Sequence, residues 1–316
     1  MNQPHSQISL FYFYGMFFLR SHLILYTFNV SLVSHMKSIV RKIISASRRQ
    51  DMVAFFPDKL IDLLERRCPP EKVHSLVLWT KDPRNMWQFR ALNQKLQQYD
   101  QIYVHYTITG MGGTCFEPGI PKMVTGLENI GNLLDYLKNP RLLHIRFDPI
   151  VNVRMSEGDC YTNLFCFSPV AKVCRQYQLH EITISWMQLY DKVRRRLSQL
   201  GLEAIELKKS EQAKQQDWIM EQARQYDIQL HGCCVETLPE SSCIDGNLLN
   251  ALHPNQEMTL IKKSSGQRQR CGCNASWDIG WYEPCGGSCI YCYARPKELK
   301  TLVGERPKKG EWIDQN

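Results

Sequence analysis

Cys285-Gly286-Gly287-Ser288-Cys289-Ile290-Tyr291-Cys292 puts three thiols on one short loop at the spacing C-x3-C-x2-C. Thiolates spaced this way can each take a different iron of a [4Fe–4S] cube. Gly286 and Gly287 let the backbone wrap closely around such a cluster. Three protein ligands leave the fourth iron open, and an open iron can bind a small molecule directly. Cys271-Gly272-Cys273 supplies two more thiols a little upstream. If either closes the fourth position, the site is saturated and serves structure or electron transfer. Four thiolates also suit a structural zinc ion, although C-x-C ahead of C-x3-C is an unusual zinc spacing. The pair could instead be redox-active or belong to an auxiliary site. The candidate metal ligands are therefore Cys285, Cys289, Cys292, Cys271 and Cys273.

These residues need elements to position them. From residue 39 onward, short runs rich in β-branched residues alternate with longer amphipathic stretches. The runs predict strands over residues 39–45, 75–80, 102–109, 142–147, 181–186 and 227–232. Helical patterns between them cover residues 55–68, 86–99, 124–138, 163–177 and 210–226. Strand–helix alternation argues for βαβ units and a parallel sheet. The expected fold is α/β, an open (β/α)6-type barrel carrying a C-terminal cysteine-rich segment. A doubly wound sheet is the alternative that periodicity leaves open.

Polar residues gather where those strands end, the edge at which parallel α/β folds carry their sites. Arg48 and Asp51 follow the first strand, Thr80, Lys81 and Asp82 the second, and Gly110 with a Gly-rich loop the third. Arg146 and Asp148 close the fourth, Ser185 the fifth, and Cys233, Cys234 and Glu236 the sixth. Arg48, Lys81, Arg146 and Asp148 are the candidate catalytic or substrate-orienting groups, through ion pairing with an anion or acid–base work. Thr80, Ser185 and Tyr291 are the candidate cofactor contacts. The run Arg194-Arg195-Arg196 reads as a solvated helix face or as a phosphate contact.

The 316 residues carry a net charge of +8, which permits an anionic substrate without demanding one, and leaves nucleic acid, peptide and small molecule open. With 43% hydrophobic residues the chain is no disordered tail, and no apolar run is long enough for a polytopic membrane protein. Locally clustered cysteines, 13 in all, suit a metal held in a reducing compartment, the cytoplasm, better than a disulfide scaffold. Residues 1–35 read as an apolar extension upstream of a true start at Met36, with a weak membrane anchor as the rival. Residues 36–263 then form the barrel domain, and residues 264–316 a linker and the cysteine-rich segment. No P-loop, Rossmann fingerprint, H-E-x-x-H or G-x-S-x-G is present.

Several motifs in order resemble the domain of unknown function 1848 family. They are Ile43-Ile44-Ser45-Ala46-Ser47-Arg48-Arg49, Trp79-Thr80-Lys81-Asp82-Pro83, Thr107-Ile108-Thr109-Gly110 and Arg146-Phe147-Asp148-Pro149. Cys243-Ile244-Asp245-Gly246, Cys271-Gly272-Cys273, Asp278-Ile279-Gly280 and the 285–294 segment follow. The cysteine loop, with Tyr291 before its last thiol, also resembles radical S-adenosylmethionine enzymes. More distantly, Tyr291-Cys292-Tyr293-Ala294 is similar to the spore photoproduct lyase group, labelled DNA repair photolyases. The superfamily resemblance implies an open [4Fe–4S] cluster chelating S-adenosylmethionine. The reduced cluster would cleave its C–S bond and yield a 5′-deoxyadenosyl radical that takes hydrogen from substrate. A low-potential donor, flavodoxin or ferredoxin, is the implied partner. In that superfamily the motif follows the first strand, whereas here it comes last, and no Gly-Gly-Glu segment follows a second strand. A permuted radical S-adenosylmethionine barrel reconciles the order: residues 277–281 would be a strand beside residues 39–45, with residues 296–302 as the helix after the loop.

Overall fold

A computed structural model describes residues 40–155, 158–268, 270–294, 301 and 303–305. The described residues from Arg41 onward belong to one compact unit. The extension expected over residues 1–35 lies outside the described residues, as does the helix expected over 296–302 apart from Thr301.

Among the described residues ten strands run in chain order: β1 (Lys42–Ala46), β2 (Val73–Thr80), β3 (Ile102–Thr107), β4 (Leu143–Ile150), β5 (Asn152–Met155), β6 (Cys160–Thr162), β7 (Glu181–Trp186), β8 (Leu202–Ala204), β9 (Gln229–Gly232) and β10 (Trp277–Asp278). Nine α-helices accompany them among the described residues: α1 (Met52–Phe55), α2 (Pro57–Arg67), α3 (Asn85–Gln88), α4 (Arg90–Leu96), α5 (Met123–Leu137), α6 (Phe167–Gln176), α7 (Asp191–Gln199), α8 (Lys209–Gln225) and α9 (Gly246–Leu252).

The main sheet has seven strands in the order β10-β1-β2-β3-β4-β7-β9. Every pairing in it is parallel. From β1 to β9 the chain steps one way across the sheet. A doubly wound sheet reverses direction; this one does not. Crossovers of one hand and one direction put their helices on one face, and the core agrees. Ile44, Leu76, Leu78, Val104, Tyr106, Ile145, Phe147, Ile182 and Ile184 point to the face covered by α2, α5, α6 and α8. Side chains there pack against Leu60, Leu64, Ile130, Leu133, Phe167, Val170 and Ile219. Each fully buried aliphatic side chain contributes about 1.5–3 kcal/mol of transfer free energy.

The opposite face is covered by the chain after β9. Ile43, Val77 and Tyr103 pack against Cys243, Ile244 and Leu249, with Cys233, Cys271 and Cys273 in the same cluster. Asp245 starts α9 there by accepting hydrogen bonds from the Asn247 and Leu248 amides at 2.9 and 3.1 Å.

Six strands of the main sheet fall at or within a few residues of the sequence expectation. The seventh, β10, pairs with β1 with Ile44 opposite Trp277 and Ser45 opposite Asp278. The second sheet, order β6-β5-β8 and antiparallel, has no counterpart in the sequence reading. Strands of three or four residues carry too little alternation to be read. The helix expected over 55–68 is α2, preceded by the short α1, and the helix expected over 86–99 is broken in two. Pro57 starts α2 at its first turn, where a missing N–H costs nothing. Phe89 takes an extended conformation between α3 and α4. No helix among the described residues is long and apolar enough to cross a membrane.

Candidate functional site

One cavity of about 440 Å³ opens at the C-terminal ends of the parallel strands. Arg48, Thr80, Lys81, Arg146, Asp148, Ser185, Tyr291, Cys271, Cys273, Cys285, Cys289 and Cys292 all line it. Residues far apart in sequence and singled out for their chemistry thus share one wall.

The loop after β1 begins the site. Ser47 Oγ donates to Asp278 Oδ1 at 2.8 Å, and the Arg48 amide donates to Asp278 Oδ2 at 3.2 Å. Asp278 lies on β10, so one carboxylate ties the first strand's loop to the segment that leads into the cysteines. Gly280 is required beside it, because a Cβ there would meet Ser47 Oγ at 1.8 Å. The Arg48 guanidinium lies over the Trp79 ring at 5.3 Å, and its Nη2 is buried with no hydrogen-bond partner among the described residues.

Asp51 caps α1 and gathers the second strand end. It accepts from the Ala54 and Lys81 amides at 2.9 and 2.7 Å and from Thr80 Oγ1 at 3.0 Å. Burial outweighs these bonds and pushes its carboxyl up to about 6. Thr80 Oγ1 also accepts from the Asp82 amide at 3.0 Å, so this candidate cofactor contact is engaged in shaping the turn.

Lys81 Nζ donates to Glu117 Oε1 at 2.9 Å, and the Tyr291 hydroxyl donates to the same oxygen. Glu117 is 1% exposed. Burial opposes the Lys81 charge, but Glu117 together with Cys289 and Asp148 lifts the ammonium above the ordinary lysine value. Arg146 pairs with Asp148, and Ser185 donates to the other Asp148 oxygen. Burial pushes the Asp148 carboxyl up; Arg146 and Ser185 together hold it below the usual carboxylate range.

The cysteine loop is fixed from three sides. Its Ile290 and Tyr291 are buried in a second core with Phe116, Tyr161, Val193 and Leu197. The Gly119 amide donates to Gly287 O at 3.2 Å and the Ile290 amide to Phe116 O at 3.1 Å. Arg196 on α7 donates to the carbonyls of Ile290 and Cys292 at 2.9 and 2.8 Å. Within the basic run, Arg196 thus anchors the loop and Arg194 pairs with Glu206 at 2.5 Å; neither faces free solvent alone. A Cβ on Gly286 would stand 2.5 Å from the Phe55 ring.

Burial pushes the Cys285 thiol up to about 11, the Cys289 thiol well above its ordinary value, and the Cys292 thiol up as well. Such thiols stay neutral until a cation displaces their protons. The Ala294 amide already donates to Cys292 Sγ at 3.4 Å, the kind of N–H···S bond that tunes iron–sulfur clusters. Three thiols on one loop, glycines where the backbone is closely packed, and a donor to sulfur fit a cube. Among the described residues no group of three or more His, Cys, Asp or Glu side chains stands arranged to hold a single metal ion.

Cys271 and Cys273 pack with Cys233 and Cys243 in the cluster on the opposite face of the sheet. The neighbouring Cys233 and Cys273 thiols, with Arg146 nearby, hold the Cys243 thiol well below the usual thiol value, and Cys273 brings Cys271 to about 6. Of the residues that build the site, Cys233 was named at a strand end, Arg196 in the basic run, and Cys243 and Asp278 in the family motifs, whereas Glu117 was missed. Glu117 follows the Gly-rich loop after β3, which was the available signal.

The chain belongs to the domain of unknown function 1848 family, whose model matches residues 43–294. No curated protein and no solved structure matches it.

Proposed function

For this member of the domain of unknown function 1848 family we propose a radical S-adenosylmethionine-type iron–sulfur enzyme, its sheet an open (β/α) barrel in permuted order. One observation carries the reading: the C-x3-C-x2-C loop and the polar strand ends line a single cavity. Its volume, about 440 Å³, is in the range of small-molecule sites. The pairing of β10 with β1 supports the permutation, because it puts the strand that leads into the loop beside the chain's first strand.

Cys285, Cys289 and Cys292 would hold a [4Fe–4S] cluster. When bound, that cluster would supply the electron that breaks the C–S bond of S-adenosylmethionine bound at its open iron. The packing of Cys271 and Cys273 with Cys243 supports an open fourth position rather than a closed four-cysteine iron–sulfur or zinc site. The chain's own groups then divide the work. Glu117 holds Tyr291 and Lys81 in place, and so fixes the loop between its second and third thiols. Arg48 offers a buried, unpartnered N–H to a carboxylate or phosphate. Asp148 stays charged beside Arg146 and presents an acceptor at the cavity wall. Trp79 offers a flat apolar surface between the Arg48 and Arg146 guanidiniums, at 5.3 and 5.5 Å from its ring. A low-potential flavodoxin or ferredoxin is the expected electron donor, in a reducing compartment that keeps the thiols free. An anionic substrate suits the cationic wall.

The test is electron paramagnetic resonance of the anaerobically reconstituted, reduced protein. A [4Fe–4S] signal that shifts when S-adenosylmethionine is added supports an open iron. A signal unchanged by saturating S-adenosylmethionine refutes it.

A further inference from the structure

The cavity has a second sulfur pole that the proposed cluster does not use. Cys233 follows β9, Cys243 precedes α9, and Cys271 and Cys273 precede β10. All four line the cavity and pack in one cluster on the inner face of the sheet. Their side chains form a loose string in that cluster rather than a closed shell around one point. Two guanidiniums are aimed at it. Arg146 Nη1 donates to Cys243 Sγ at 3.0 Å, and Arg268 Nη2 donates to Cys233 Sγ at 3.2 Å. Arg146 is 4% exposed. A neutral thiol is a poor acceptor for a buried guanidinium, whereas a thiolate bound to a metal is a strong one. Ordinary core cysteines need no such donors; Cys68 and Cys174 are buried among aliphatic side chains.

We propose that Cys233, Cys243, Cys271 and Cys273 form a second thiolate site that takes a thiophilic metal centre, with Arg146 and Arg268 as its N–H···S donors. The site is distinct from loop 285–292 and does not rest on the reading of that loop. Binding releases the thiol protons and draws the string of sulfurs into a shell around the metal. Tetrathiolate ligation suits an iron–sulfur cluster or a zinc ion.

The test uses the full chain, isolated anaerobically, with the loop ligands removed as Cys289→Ala/Cys292→Ala. The proposal expects this variant to retain iron with sulfide, or zinc without it, and either supports a thiolate site. Adding Cys233→Ser/Cys243→Ser should reduce that metal to background. Cobalt(II) added to the metal-stripped loop variant should give an intense thiolate-to-metal charge-transfer band. The single variant Cys243→Ser in that background, checked for an unchanged melting transition, should lose most of it. A loop variant without metal and without the cobalt band overturns the proposal. So does a disulfide among the four cysteines in the anaerobic protein, seen as a mass lower by two hydrogens. Neither result depends on whether S-adenosylmethionine binds.

Discussion

At the residue scale, the buried Lys81–Glu117 pair joins the second strand's end to Tyr291 of the cysteine loop. Removing one member of a buried pair strands the other charge, at a cost of about 3–5 kcal/mol. Glu117→Gln and Lys81→Met are each expected to destabilise the protein by that order in urea unfolding. The double variant should lose less than the sum, because it leaves no orphan charge. Additive losses would mean that the pair does not act as a unit. The cysteines, Lys81, Arg146 and Asp148 were legible in sequence because they recur in motifs at strand ends. Asp278 was named only within a motif, without its partners, and Glu117 was not named; each acts through a partner more than thirty residues away, and no local pattern encodes such a distance.

At the scale of elements, the loop's position depends on close backbone approach. A Cβ on Gly119 would stand 2.1 Å from Gly286 O, so the loop must shift. Gly119→Ala is expected to cut reconstituted iron severalfold while far-ultraviolet circular dichroism stays unchanged. Full iron retention would contradict the close-packing argument. Leu78 of β2 is wholly buried, and Leu78→Ala should cost about 2–5 kcal/mol by calorimetry. The six longer strands of the main sheet were readable because both faces are buried and each run is apolar. Their neighbour β10 has only two residues; the permutation argument rather than its own propensity put residues 277–281 beside residues 39–45, and β10 does pair with β1. The strands β5, β6 and β8 are similarly short, and their register is set by the Val153 and Tyr161 core.

For the whole molecule, one chain-long consequence is the response to acid. Burial pushes the His74 imidazole below its ordinary 6.5 and the His144 imidazole well below it. The unfolded chain therefore binds more protons as the pH falls below about 6.5, and stability present above that pH is lost on acidification. Asp51 works the other way: its carboxyl, raised to about 6, contributes stability at low pH that is lost as pH rises through that value. The histidine share is isolated by difference. The melting temperature of His144→Gln should fall less between pH 7 and 5 than that of the native chain. Parallel slopes would show that His144 does not carry the effect. The parallel sheet was legible from strand–helix alternation, and its one-way strand order was not, because order lives in crossovers that periodicity cannot see.

The most direct test of the central claim is the fate of S-adenosylmethionine. The protein, reconstituted anaerobically with iron and sulfide and reduced with dithionite, is incubated with S-adenosylmethionine and assayed for 5′-deoxyadenosine. The account predicts that 5′-deoxyadenosine forms, that Cys289→Ala abolishes it, and that Arg48→Gln lowers it severalfold. An assembled, reduced cluster that leaves S-adenosylmethionine intact, with cell extract present as a source of substrate, would contradict it.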